Sequence, residues 1–276
     1  MSKKRAPLEY NRMWQMRLWL ILVFFFLYAP LGALIAFSFN NSKRTVWRGF
    51  TLDYYHKLFN DEALLIAFAN SLTIAFIAML ISLVIGALAA VLLWRYRFIG
   101  KTAVEGAFTL PIVVPEICMG VAMLLFFTRV VPWPNNLIWP LSLGSIIIAH
   151  VSFCFPFVAL VVGARLASFN KEQEEAARDL GANEWQAFRD ILLPHLRPAL
   201  IAGGLLAFTL SLDDFVITFF TSGPDTITFP VKVYSMLRFS VTPEVNAAST
   251  MLILLTIVLM ALMMVIQGRA ANKVKG

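Results

Sequence analysis

Charge is scarce in this chain. Asp, Glu, Lys and Arg make up 14% of its 276 residues, and 59% are hydrophobic. An ordinary soluble domain is about 25% charged and about 45–50% apolar. The apolar runs consume nearly the whole length, which leaves no room for a separate soluble domain. Cysteine is scarcer still: Cys118 and Cys154 are the only two, and both fall inside apolar runs. A disulfide framework is excluded, and two buried thiols packing as small hydrophobes are expected. There is no paired-histidine metal site, no nucleophile elbow and no Ser-His-Asp arrangement. Gly100-Lys101-Thr102 looks like the end of a phosphate-binding loop, but the position that needs a second glycine is Arg95. The triplet also trails an apolar run rather than a strand. Catalysis by this chain is therefore not expected, and any nucleotide chemistry belongs to another protein.

What the chain has in abundance is long apolar segments. About 20 apolar residues carry a helix across the hydrocarbon core. Six stretches qualify, at about 18–39, 64–93, 104–128, 143–163, 200–221 and 246–267. The third contains Pro111 and Pro115, so a kink is expected there. The first run is longer than the roughly 7–15-residue core of a secretion signal, and FSFNNS offers no cleavage site, so it reads as an uncleaved span. The expected fold is an all-α membrane protein with six transmembrane helices.

The net charge of +7 does not form a face for nucleic acid, because the basic residues sit at the ends of the spans. With the N-terminus placed in the cytoplasm, 16 of the 23 Lys and Arg lie on the inner side, which the positive-inside rule favours. Six spans then return the C-terminus to the cytoplasm. The resulting division is a cytoplasmic N-terminus at 1–17, a first span and outer loop at 18–63, five further spans at 64–267 and a cytoplasmic tail at 268–276. On the outer side, residues 47–60 mix aromatics and charges as a segment along the membrane surface would. Residues 230–240 have the spacing of a short amphipathic helix. A solvated loop with incidental aromatics is the plainer alternative for both.

One polar segment, 164–199, interrupts the apolar spans, and the orientation places it in the cytoplasm. Asn170 is a helix N-cap, followed by Glu172, Glu174 and Glu175 where the helix dipole favours anions. Gly181 suits the left-handed position that ends a helix. Asn183 and Gln186 form a capping-box pattern for a second helix. Leu193-Pro194 and Pro198 mark the return to the membrane. This is a helical hairpin, and small Ala176 and Ala177 beside Glu175 let a partner approach closely and offer it a charge.

Glu175-Ala176-Ala177, then Gly181, then Ile191, Leu193 and Pro194, resembles without a gap the signature of permease subunits of binding-protein-dependent ATP-binding-cassette (ABC) importers. The similarity extends over about 64–267. It implies the type I ABC importer permease fold in a bacterial inner membrane. It also implies a second homologous permease, two ATPase subunits that hold ATP and Mg, and a periplasmic substrate-binding protein. Glu175, Ala176, Ala177 and Gly181 would belong to the coupling helix that sits in the ATPase. This chain would bind no cofactor itself. A further resemblance, to the spermidine/putrescine (polyamine) permeases, rests on LYAP at 27–30, FSFNNS at 37–42, HVSFCFPF at 150–157, FTLSLDDF at 208–215, SGP at 222–224 and VTPEVNA at 241–247.

Three carboxylates fall inside the spans: Glu116 after Pro115, and the pair Asp213 and Asp214. A carboxylate deep in a bilayer costs at least about 2.5 kcal/mol, so such groups usually face a cavity or a partner. Polyamines are chains of ammonium groups, and these three residues are the candidates for a translocation path. The alternative is structural, with an aspartate capping a broken helix or paired with Arg129, Lys232 or Arg238. His150 reads as a hydrogen-bonded packing residue rather than a proton relay, and Met260, Met263 and Met264 as adaptable packing. A permease for another small solute, an ion-driven secondary transporter and a membrane-embedded enzyme are the competing functions. Of these, the secondary transporter leaves the polar hairpin without a purpose.

Overall fold

The computed structural model describes residues 14–42, 46–130, 141–238 and 242–273. Lys3, Lys4, Arg5, Arg12, Lys43, Arg44, Ser240, Val241 and Lys275, which the sequence reading used, lie outside the described residues. Among the described residues the fold is helical, apart from one antiparallel bridge between Asn40 and Phe50. Among the described residues, five helical runs are long and apolar enough to cross a membrane: Met16–Ser38, Glu62–Arg95, Leu143–Leu166, Glu184–Asp213 and Pro243–Leu262.

The third expected span is not one helix with a kink. α4 (Lys101–Val113) and α5 (Glu116–Leu125) meet at a 108° bend, and α5 continues into a π-helical turn, Phe126–Val130. Pro111 stays inside α4, whereas the residue before Pro115 is driven out of the helical region. Val114 is extended at ψ 132°.

The fifth expected span, 200–221, is also redrawn. Helical structure begins in the hairpin with α8 (Glu184–Ala187) and passes through a π-helical turn at Phe188–Leu192. It then runs on as α9 (Leu193–Asp213). The turn precedes Pro194, which has no N–H to continue the normal ladder. The run stops at Asp214 (ψ 126°), and α10 (Val216–Thr221) starts afresh.

The core is formed by α3 (Glu62–Arg95), α6 (Leu143–Leu166) and α9. Lipid tails are as apolar as leucine, so helices in a bilayer associate through close packing of small residues. α3 supplies such a stripe: Ser71, Ala75, Ala78, Ser82, Gly86 and Ala90 are buried. At Gly86 a Cβ would lie 2.7 Å from the carbonyl oxygen of Phe155. Cys154 is buried here as expected, but Cys118 is exposed on α5, and Met260 and Met264 are exposed too. α1 (Trp14–Ser38) stands apart, touching the rest mainly through α12 (Pro243–Lys273).

A second, smaller core lies at the end of the molecule away from the hairpin. α2 (Asp53–Asn60) buries Tyr54 and Leu58, and α11 (Phe229–Leu237) buries Phe229 and Val233, against the start of α3 and α12. The two polar-aromatic segments thus contain helices packed onto the spans.

Candidate functional site

The hairpin follows directly from its caps. The Asn170 side chain accepts a hydrogen bond from the Glu172 N–H (3.0 Å) and opens α7 (Glu172–Asp179). Gly181 ends it at φ +90°. The Gly181 N–H donates to the Arg178 carbonyl (2.9 Å) and the Ala182 N–H to the Ala177 carbonyl (3.0 Å), the paired bonds of a Schellman motif. No heavy atom lies within 4 Å of a Cβ at Gly181, so glycine is needed there for its φ and not for space. Asn183 and Gln186 then cap α8 reciprocally, each side chain accepting the other's backbone N–H at 2.8 Å.

On this frame Glu175, Ala176 and Gly181 are exposed and Ala177 is half-buried. Two large apolar side chains stand beside them, Leu180 at 90% exposure and Trp185 at 64%. Neither belongs to the Glu175-Ala176-Ala177 signature, although an apolar residue in a polar hairpin is itself a signal. A cluster of four charges lies outside that signature too. Arg95, the last residue of α3, reaches Glu174 (2.9 Å) on the first arm and Glu184 (3.1 Å) on the second. Arg178 pairs with the same two carboxylates at 2.9 and 3.3 Å. Trp94, Arg95, Lys171, Glu174, Glu175 and Arg178 line a polar cleft of about 180 Å³.

The membrane carboxylates occupy two helix breaks. Asp214 caps α10, accepting from the Thr218 N–H (2.8 Å), the Thr218 hydroxyl (2.9 Å) and the Ile217 N–H (3.4 Å). His150 on α6 lies 3.3 Å from Asp214, and shares hydrogen bonds with Thr218 (2.9 Å) and Ser211 (2.6 Å). All four residues are buried. Asp213 and Glu116 are exposed instead. Glu116 opens α5 and Asp213 closes α9, and Asp213 lies within electrostatic reach of both Glu116 and Asp214. The structure therefore brings the three carboxylates together but divides their surroundings: two face outward, and the third is engaged within the protein.

The fold has counterparts among solved ABC transporters. A chain of a bacterial ABC transporter involved in the import of the acidic polysaccharide alginate superposes with a TM-score of 0.72 over 94% of this chain and 96% of that one, at 20% identity. Residues 82–276 match the family described as binding-protein-dependent transport system inner membrane component, and the chain belongs to that family. It is 40% identical over 246 residues to the spermidine/putrescine transport system permease protein PotC of Haemophilus influenzae, covering 88% of this chain and 92% of that one. It is 43% identical over 238 residues to the putrescine transport system permease protein PotI of Escherichia coli, covering 85% and 84%. The chain is a multi-pass transport subunit and not an enzyme in its own right.

Proposed function

We propose that this chain forms half of the translocation pathway of an ATP-driven polyamine importer in a bacterial inner membrane. Both termini and the hairpin are cytoplasmic, and the bent α4–α5 pair counts as one of six spans. A second, homologous permease completes the pathway. Two ATPase subunits carry ATP and Mg, and a periplasmic binding protein delivers spermidine or putrescine. The observation that carries this reading is the 40–43% identity, over 85–88% of the chain, to permeases named for those substrates.

The geometry supplies a mechanism. The exposed face of Glu175, Ala176, Leu180 and Gly181 docks on the ATPase. When ATP closes the ATPase pair, the hairpins are driven together. The second arm is helically continuous with α9, so its movement reaches the break at Asp213 without passing through a loop. Asp213 and Glu116 meet the ammonium groups of the substrate there. The negative end of the α9 dipole adds to their attraction, replacing part of the hydration the cation gives up. Asp214, held by His150 and Thr218, shapes the break and makes no contact with the substrate.

The test is reconstitution in liposomes with and without the ATPase. Uptake of labelled putrescine or spermidine that requires both ATP and the binding protein is expected. Uptake driven by an ion gradient through this chain alone would overturn the proposal.

A further inference from the structure

The hairpin is joined covalently to α6 and α9, yet it is also bolted to a third helix. We propose that Arg95 is a positioning residue that keys the hairpin to the end of α3, so that hairpin movement is passed to α3 as well as to α9. This rests on the reading that the hairpin docks on the ATPase.

The geometry is specific to Arg95. One guanidinium nitrogen lies 2.9 Å from Glu174 on the first arm and 3.1 Å from Glu184 on the second, so a single residue of α3 grips both arms. The Glu174 side chain is only 8% exposed, so this pair is shielded from the solvent that weakens ordinary surface pairs. Arg178 contacts the same carboxylates from inside the hairpin and ties its two arms to each other, not to a span. One residue earlier on α3, the Trp94 ring lies under the Lys171 ammonium at 4.7 Å and packs edge-on against Phe169 at 5.7 Å. Two adjacent side chains of α3 thus hold the start and both arms of the hairpin. α3 itself packs along both α6 and α9 and carries the small-residue stripe of the core. A displacement delivered to its end is delivered to the whole three-helix core.

The test compares uptake per ATP hydrolysed in liposomes holding the full complex, with putrescine and a saturating binding protein. With Arg95→Gln the ATPase remains bound and active, and uptake per ATP falls about fivefold or more, the lower end of usual coupling between sites. Arg178→Gln, which spares the grip on α3, loses less, and Arg95→Lys recovers part of the ratio. A purely stabilising role would reduce the amount of complex and leave the ratio unchanged. An unchanged ratio in Arg95→Gln overturns the proposal. Should that variant fail to assemble, Glu184→Gln removes one grip at a largely exposed carboxylate, and an unchanged ratio there overturns it equally. A wild-type complex with no ATP-dependent uptake would instead sink the importer reading itself.

Discussion

Two clusters of polar side chains hold this molecule together at points where the chain is interrupted, and they are made differently. At the hairpin, Arg95, Arg178, Glu174 and Glu184 have side-chain exposures of 26%, 39%, 8% and 73%. At the break after α9, the His150 and Asp214 side chains are 2% and 3% exposed. Each arrangement suits its place. A buried carboxylate must be fully satisfied or it is ruinous, so the Asp214 cluster fixes a single geometry. At the hairpin only Glu174 is enclosed, while the pairs to the largely exposed Glu184 exchange with water at small cost, so that cluster is fixed at one carboxylate and free to shift at the other. In the proposed importer, one cluster would define the shape of the pathway and the other would pass motion to it.

The sharpest way to break this contrast is at Asp214. Asp214→Ala leaves α10 uncapped and takes the carboxylate from Thr218, Ile217 and His150, and should cost about 1–3 kcal/mol, as for buried groups left without a hydrogen-bond partner. The thermal midpoint of the purified subunit should fall, whatever the substrate. Asp213→Asn, one residue away, should leave that midpoint alone while putrescine uptake falls about tenfold, equivalent to about 1.4 kcal/mol. Equal effects at the two positions would erase the distinction between shaping and contacting. At the hairpin, Gly181→Ala forces an alanine to φ +90°. About 1 kcal/mol of local stability should be lost, read as faster hydrogen exchange across α7 and α8. The smallest effect is expected from Glu175→Gln, because a rim charge steers association more than it strengthens it. ATPase affinity should drop by about twofold, and its dependence on salt should flatten.

Much of this was legible in the sequence wherever the cause was local. The hairpin's caps at Asn170, Gly181 and Asn183 follow from side-chain chemistry within a few residues. Pro115 announced an interruption, though the 108° bend exceeds an ordinary proline kink because Val114 leaves the helix altogether. The break at Asp214 was open to the sequence only as an alternative, an aspartate capping a broken helix, and the structure takes that alternative. The groups that stabilise it include His150, and Ser211 and Thr218 meet that histidine across 61 and 68 positions of sequence. Arg95 and Glu174 are 79 positions apart, and no periodicity connects them. The acids of the membrane were visible as anomalies. Which of them would be enclosed depended on the turn after Asp213, which no pattern in the apolar run predicts.

The unbroken run from Glu184 to Asp213 has a mechanical corollary. Thirty residues at 1.5 Å each make a rod about 45 Å long. Pivoted near one end, such a rod converts a swing of about 5° into a stroke of about 4 Å at its tip, somewhat less than one helical turn. In the proposed importer, a modest rocking of the docked arm would shift the carboxylate of Asp213 by more than the length of a hydrogen bond, enough to offer a cation or withdraw it within a single cycle.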